Sequence, residues 1–291
     1  MPIYNGNNRL SDIYSGNTSI GKVYVGNTLV FQKSGEDPPP PPPPEVRMDN
    51  AYGYLYNWYV IAQSTASVPR YINPQGWNIP TLTDFNNLKN YLDNTFPTDE
   101  IGKHMKSQRV VPASHPRWKY SSANPIENTT NFGAVPGGFR ISHNGTFGFL
   151  EERSRIWANN SLSALNAAIV ELIYTSDRFD TTTINGYPLS YNKGTGCSII
   201  LYQSLSLEEA LAIPDFTILE NWYTGNDGKQ YNCVKIFNKI YTENLRETKY
   251  RGGSSITYGT SNLEWADGSS AKIPLRCAYN NDEFLATGNI N

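Results

Sequence analysis

The sequence is poor in cysteine, and this scarcity excludes several kinds of site. It holds three cysteines in 291 residues, and Cys197, Cys233 and Cys277 lie far apart without a Cys-x-x-Cys pattern. An odd, dispersed set argues against both a disulfide framework and a zinc site. We therefore predict three free cysteines that are buried as small apolar residues.

Charge and long apolar runs are scarce as well. Charged residues make up 17% of the chain, and the formal net charge at pH 7 is −2. Nucleic acid requires a clustered basic face, which this balance does not supply, so we expect no nucleic-acid partner. No apolar run approaches the roughly 20 residues of a membrane helix, so we expect no membrane insertion. The opening Met1-Pro2-Ile3-Tyr4 lacks the basic start and apolar core of a secretory signal, so we expect no signal-directed export.

Residue arrangements that carry catalysis are also missing. A glycosidase needs two carboxyls that face each other, whereas sequence neighbours point apart; the adjacent pairs are Asp99-Glu100, Glu151-Glu152, Glu208-Glu209 and Asp282-Glu283. His104, His115 and His143 lack metal-ligand spacing, and no GxSxG, HExxH, P-loop or EF-hand motif occurs. We predict a protein that is not an enzyme, with no catalytic residue, no metal ligand and no cofactor.

Calcium binding is the one alternative to this prediction, because calcium binds the side-chain oxygens of Asp, Asn and Glu. Asn226-Asp227 and the segment 280–283 supply such oxygens. Asn226-Asp227-Gly228 is, however, more simply a hairpin turn.

Proline, in contrast, is concentrated in one place. Seven consecutive prolines, Pro38 to Pro44, lie between polar flanks. Proline fixes φ and removes the backbone donor, so the run cannot join a helix or a central strand. It favours polyproline II, whose rise of about 3.1 Å per residue gives a reach of roughly 20 Å. We predict a rigid linker over residues 34–48 that separates an N-terminal arm, residues 1–33, from a C-terminal body.

The arm repeats with a period of ten residues. Its units begin with Ile3-Tyr4-Asn5-Gly6-Asn7, Ile13-Tyr14-Ser15-Gly16-Asn17 and Val23-Tyr24-Val25-Gly26-Asn27. Each unit predicts a short strand, a Gly-Asn turn and a second short strand. Three such units are too small to fold unaided, so the arm needs sister chains or a larger assembly. The residues predicted to make these contacts are Tyr4, Ile13, Tyr14, Val23 and Tyr24. The alternative is a β-meander packed on the body.

This repeat resembles the tandem Tyr-x-Gly-Asn units of bacteriophage tail and fibre proteins. The resemblance covers about 30 residues with a loose motif. It implies a trimeric segment attached to other virion proteins.

The body combines short strands with few helices, which predicts an α+β fold preceded by a small all-β arm. Tyr52, Tyr54, Tyr56 and Trp58 alternate at strand spacing, and we expect them to pack in the core. Thr81 caps a helix that ends near Asn94. A capping box at Ser206 begins a short helix. Strands are predicted at 147–150 and 155–157, while 168–174 fits either strand or helix.

Three motifs of the body occur in the order of a known family. They are Tyr52-Gly53-Tyr54-Leu55-Tyr56-Asn57-Trp58-Tyr59, Gly76-Trp77-Asn78-Ile79-Pro80-Thr81 and Phe132-Gly133-Ala134-Val135-Pro136-Gly137-Gly138-Phe139-Arg140. They resemble the Fibrobacter succinogenes major paralogous domain. The resemblance implies a C-type-lectin-like fold, related to that of formylglycine-generating enzymes. Those enzymes rely on cysteines, but Cys233 and Cys277 have no matching reactive partner here.

The remaining segments resemble the same family in a changed order. Residues 227–250 and 277–282 resemble its opening half, and residues 196–202 resemble its closing strand. This order implies a circularly permuted head over residues 49–283, with 203–222 as the new connection and 284–291 as a tail. Permutation is tolerated where chain ends lie close together. The alternative is two partial domains that complete each other between chains.

A repeat-built anchor, a rigid linker and a compact head together favour a bacteriophage virion fibre protein of the head or tail. We expect a homotrimer, assembled in the host cytoplasm into the virion, whose heads contact a host-surface glycan or protein. The alternative is a structural decoration protein without a ligand. A bacterial adhesin would need an export signal, and a depolymerase would need facing acidic residues.

Ligand binding by the head is assigned to aromatic and polar residues of its loops. Aromatic faces stack on sugar rings, and polar neighbours fix their orientation. The residues predicted for this role are Trp118, Tyr120, Arg178 and Tyr187.

Overall fold

The chain separates into two compact units, Met1–Glu45 and Val46–Asn291. The structure, a computed structural model, describes residues 47–49, 51–62, 70–97, 99–108, 116–181, 183–184 and 187–288. In the first unit it describes the backbone of six short strands, and at 183–184 and 187–188 it again describes the backbone alone. The proline run lies outside the described residues.

The described residues of the first unit form three separate antiparallel hairpins, as the ten-residue repeat predicts. The paired strands are β1 (Tyr4–Asn5) with β2 (Asn8–Arg9), β3 (Ile13–Ser15) with β4 (Thr18–Ile20), and β5 (Lys22–Val25) with β6 (Thr28–Gln32). The predicted contact residues Tyr4, Ile13, Tyr14, Val23 and Tyr24 all lie in the first strand of a hairpin. Their side chains lie outside the described part of the chain.

The second unit is built from three main sheets. Its strands are β7 (Leu55–Tyr56), β8 (Gly137–Arg140), β9 (Phe147–Leu150), β10 (Arg153–Ser161), β11 (Asn166–Ile173), β12 (Thr183–Ile184), β13 (Tyr187–Pro188), β14 (Ser190–Asn192), β15 (Tyr202–Ser204), β16 (Ile218–Thr224), β17 (Gln230–Ile236), β18 (Lys239–Thr242), β19 (Thr257–Tyr258) and β20 (Leu275–Cys277). The sheets have the orders β14-β11-β10-β8-β9, β15-β18-β17-β16 and β19-β20-β7, and β12 pairs with β13. The first and third sheets are mixed, because β8–β10 and β19–β20 are parallel pairs.

Helices are few in the part of the chain that the structure describes, which agrees with the predicted α+β class. They are α1 (Leu82–Asp93), α2 (Ile101–Met105), α3 (Leu207–Ala212), α4 (Asn262–Ser270) and α5 (Glu283–Thr287), with 3-10 turns at Trp58–Val60 and Tyr279–Asn281. The capping boxes predicted at Thr81 and Ser206 are both present, and each begins its helix. Such a cap stabilises a helix by about 1 kcal/mol.

The aromatic run at 52–59 is a core segment, but the predicted strand alternation holds only briefly. Regular pairing is limited to β7, because Gly53 has a φ of +78° and a 3-10 turn begins at Trp58. A Cβ on Gly53 would lie 2.9 Å from the carbonyl oxygen of Leu245, so the close approach requires glycine. Tyr52, Tyr54, Leu55, Tyr56 and Trp58 are all buried, on both sides of the segment.

The segment 168–174, for which the pattern fits either strand or helix, is a strand: residues 168–173 belong to β11, and Tyr174 follows it in a turn. Strand β11 lies between β14 and β10 in the five-stranded sheet, and Ala167 to Leu172 are all buried. A strand that is covered on both faces is apolar throughout and does not alternate apolar with polar residues, which explains the ambiguous sequence pattern. The cysteine prediction is confirmed: all three are free and buried, and burial raises the pKa of Cys197 and Cys277 to about 12.

Glu247 connects distant segments of the second unit through hydrogen bonds. Its side-chain Oε1 accepts from the Tyr223 hydroxyl at 2.9 Å and from the Asn226 backbone N–H at 3.2 Å. Its backbone carbonyl accepts from the Tyr56 hydroxyl at 2.9 Å. Burial raises the pKa of the Glu247 carboxyl to about 7 from an ordinary 4.5. Its Oε2 is buried without a hydrogen-bond partner among the described residues, which suits a protonated carboxyl.

We expect Glu247 to lower the stability of the second unit as the pH rises from 5 to 8. A carboxyl whose folded pKa lies above its unfolded value binds its proton more tightly in the native state, so its full contribution is present below the unfolded pKa. That contribution is lost as the pH rises through about 7, and it amounts to about 2 kcal/mol between pH 5 and 8. Urea unfolding across this range measures it. Glu243, whose pKa is also raised to about 7, contributes to the same dependence of the unfolding free energy on pH. The test therefore compares the slope of this dependence in the native chain with that in Glu247→Gln. An unchanged slope in that variant would contradict the assignment to Glu247.

Candidate functional site

A groove on the second unit lies between helix α1 and the turn that joins β17 to β18. Its volume is about 330 Å³, at the lower end of small-molecule sites. The buried side chains of Leu88, Ile236 and Tyr241 form its floor. Its walls are more polar and carry Asn87, Asn90, Tyr91 and Asn94 from α1, and Phe237, Asn238 and Lys239 from the turn.

The periodicity of α1 places its polar side chains in the groove. Asn87, Asn90, Tyr91 and Asn94 follow at spacings of three, four and seven, so they share one face of the helix. The stripe of Phe85, Leu88 and Leu92 is buried in the core and fixes the rotation of the helix. The amphipathic pattern therefore determines both the packing and the polar wall.

The opposite wall is a two-residue turn, Phe237-Asn238, between paired residues Ile236 and Lys239. Phe237 has a φ of +57°, in the region that favours glycine. Its backbone N–H donates to Asp215 Oδ1 at 2.7 Å, and the same oxygen accepts from Lys235 Nζ at 2.8 Å. Asp215 thus holds Phe237 in a strained conformation, a kind of strain that is concentrated at functional sites.

An aromatic pair joins the two walls. The rings of Tyr91 and Phe237 are stacked with centroids 4.8 Å apart and planes inclined by 21°. The Tyr91 hydroxyl donates to Asp215, and burial together with this carboxylate raises the Tyr91 pKa to about 12. Phe237 is nevertheless 52% exposed. A supported aromatic surface is therefore open to a ligand at the mouth of the groove.

The charges around the groove are paired. Lys239 Nζ donates to Asp84 Oδ1 at 2.5 Å, and Lys235 pairs with Asp215. Burial alone would raise the pKa of Asp84, but hydrogen bonds from Lys239 and Thr81 hold it below its ordinary value. On the helix, Lys89 pairs with Asp93 at 2.6 Å. The groove is therefore close to neutral, although ionic groups surround it.

Three asparagine side chains remain available in this neutral setting. Asn87, Asn90 and Asn238 are exposed, and no hydrogen bond to their side-chain amides occurs in the part of the chain that the structure describes. Asn94 is different, because its Nδ2 donates to the Asn90 carbonyl oxygen at 2.9 Å. Each free amide offers donors and an acceptor, so the wall can bind a neutral polar ligand.

The residues predicted to bind ligand lie elsewhere. Trp118 is only 5% exposed, and its indole N–H donates to the Ala134 carbonyl oxygen at 2.9 Å inside the core. Its polar, proline-rich loop led to the expectation of an exposed ring, but the ring packs inward and has no surface for a sugar. Tyr120 is 87% exposed, and Arg178 forms ion pairs with Asp99 and Asp180 at 3.6 Å.

No direct contact links these residues in the described structure. Tyr187 lies in β13, and its side chain is outside the described residues. Among the described side chains, no hydrogen bond, ion pair or ring contact joins Trp118, Tyr120 and Arg178. The groove itself was missed by the sequence reasoning. Its detectable signal is the asparagine spacing on the polar face of α1.

The oxygen-rich segments considered for calcium have internal partners. Asp227 accepts from Thr248 and Lys229 in the hairpin turn, while Asn281 contacts Arg140 and Thr260. The described residues hold no group of three or more His, Cys, Asp or Glu side chains arranged to bind a metal. Likewise, no helix in the described ranges is long and apolar enough to cross a membrane.

Comparison with known protein families matches residues 32–199 to the Fibrobacter succinogenes major domain. No curated protein and no solved structure matches the chain. The matched segment covers more than half of the 291 residues and contains the three motifs at 52–59, 76–81 and 132–140. The chain therefore belongs to the Fibrobacter succinogenes major domain family.

Proposed function

We propose that this protein is a bacteriophage virion fibre protein whose second unit attaches to the host surface. The observation that carries the proposal is the division of the chain into a unit of small repeated hairpins and a larger unit, with seven prolines at the junction. The hairpin unit is too small to bury a core of its own, so it binds sister chains or other virion proteins. The larger unit, with its exposed groove, is the part that meets a receptor.

The proposed assembly is a homotrimer in the virion. Three heads on one fibre raise the effective concentration of each binding site, so weak individual contacts still give firm attachment. The groove suits such weak contacts, because its volume is small and its walls are neutral. The receptor is a glycan or protein of the host surface.

The proposed architecture of the head is a circularly permuted C-type-lectin-like fold. Two contacts support it: β20 pairs with β7, and the Tyr52 N–H donates to the Leu285 carbonyl oxygen at 3.0 Å. The start and the end of this unit are therefore neighbours, which is the condition that permutation requires. The two halves of the resemblance lie in one compact unit, as closure within a chain requires.

The test is adsorption of the purified full-length protein to host cells. Fluorescently labelled protein is expected to bind cells of the infected strain and to compete with whole virions for adsorption. Light scattering of the same preparation reports the mass, which is expected to be three chains. A protein that binds virions but never cells would instead be a decoration protein of the capsid or tail.

A further inference from the structure

We infer that the groove between α1 and the β17–β18 turn binds a neutral, hydroxyl-rich saccharide. The inference rests on the proposed function and names the receptor chemistry for it. Its basis is the juxtaposition of three free asparagine amides, an exposed aromatic ring and ionic groups that are already paired.

The amides match the chemistry of sugar hydroxyls. A hydroxyl both donates and accepts, and an asparagine side chain has two donors and one acceptor oxygen. Asn87 and Asn90 stand one turn apart on α1, and Asn238 faces the same groove from the turn. Adjacent hydroxyls on one sugar ring can therefore pair with amides from both walls.

The aromatic ring supplies the apolar contact that sugar recognition also needs. Phe237 stacks on Tyr91 through one face and remains 52% exposed. The C–H face of a sugar ring packs on such a surface, while the polar groups fix its orientation. The Tyr91 hydroxyl and the Phe237 N–H are both held by Asp215, so the ring is positioned before a ligand arrives.

The pairing of charges selects neutral sugars over acidic ones. An acidic saccharide needs a cation that is free to meet its carboxylate. The lysine in the groove wall, Lys239, is bound to Asp84, and the neighbouring Lys235 is bound to Asp215. An anionic sugar would have to break one of these pairs or lie beside the aspartates unpaired.

The experiment probes the full-length protein on an array of neutral and acidic oligosaccharides, with titration of each neutral hit. The variants are Asn87→Ala with Asn90→Ala, and Phe237→Gly. Glycine suits the positive φ at position 237, so this variant removes the ring while preserving the turn. Trp222→Ala is the matched control, because Trp222 is another exposed aromatic side chain, 49% exposed, that does not line the groove.

The native chain is expected to bind neutral oligosaccharides, with affinity at least tenfold weaker in both groove variants and unchanged in Trp222→Ala. Preference for acidic oligosaccharides, or loss of binding in the control alone, would overturn the inference. Cell adsorption without binding to any neutral saccharide would also overturn it but would leave the attachment function standing. Saccharide binding without cell adsorption would support the groove assignment and contradict the fibre function.

Discussion

Replacing Arg140 with methionine is expected to lower the free energy of unfolding of the second unit by about 5 kcal/mol, among the largest effects of a single substitution. The Arg140 side chain is fully buried. Its guanidinium donates to the carbonyl oxygens of Gly145, Gly259 and Ser261 at 2.8, 2.9 and 2.7 Å. Methionine fills a similar volume but leaves these buried carbonyls without their donor, at about 1–3 kcal/mol each.

The environment of Arg140 explains how a charge is held there. The guanidinium carbon lies 4.5 Å from the centre of the Phe147 ring and 4.7 Å from that of Trp265. No carboxylate forms an ion pair with it among the described residues. Carbonyl dipoles and two aromatic faces therefore stabilise the charge, and they join β8 to the segment before α4.

Matched variants separate the charge from the geometry. Lysine at position 140 keeps the charge but has one ammonium in place of a planar fork, so we expect Arg140→Lys to lose most of the same stability. Arg117→Met is the control, because Arg117 is partly exposed and paired with Glu151, an interaction worth about 1 kcal/mol or less. Chemical unfolding followed by circular dichroism measures all three. A change under about 1 kcal/mol in Arg140→Met would contradict this account.

Local signals explain which parts of the fold were predictable. Thr81 and Ser206 are capping residues whose partners lie three positions later in the sequence. The start of each helix can therefore be predicted from four consecutive residues. The ten-residue repeat is similarly local, and its hairpins follow from it. Cysteine burial follows from residue type and spacing. These features need no knowledge of the tertiary structure.

The groove and the position of Trp118 depend on distant parts of the chain. Asn87 and Asn238 line one groove only because α1 packs beside the β17–β18 turn of the four-stranded sheet. Neither the sequence of α1 nor that of the turn indicates that the two lie close together. Trp118 lies in a polar loop, but its indole N–H donates a hydrogen bond to the carbonyl oxygen of Ala134, which belongs to a later segment. Tertiary contacts therefore determine both the formation of the groove and the burial of Trp118. The sequence pattern shows only that the loop around Trp118 is polar.

Gly225→Ala is expected to destabilise the second unit by about 4 kcal/mol, because the site has no space for a methyl group. A Cβ at this position would overlap the carboxyl oxygens of Glu247 and lie 2.7 Å from its Cδ. The carboxyl is buried and bound to Tyr223 and Asn226, so it cannot move without losing both hydrogen bonds. Gly225 is thus required by its neighbour, and its backbone needs no positive φ.

A double-mutant cycle tests this cause directly. Glu247→Ala removes the group that the new methyl would meet, and the Gly225→Ala/Glu247→Ala double variant should therefore cost at least 1 kcal/mol less than the sum of the single variants. Gly228→Ala is the control for a backbone effect, because Gly228 lies in the same hairpin turn with a φ of +86° and nothing within 4 Å of its Cβ position. Its cost comes from strain alone, so it should not change when Glu247 is replaced. Strict additivity of Gly225→Ala and Glu247→Ala would show that the alanine acts through the backbone and that the carboxyl does not fill the space beside Gly225.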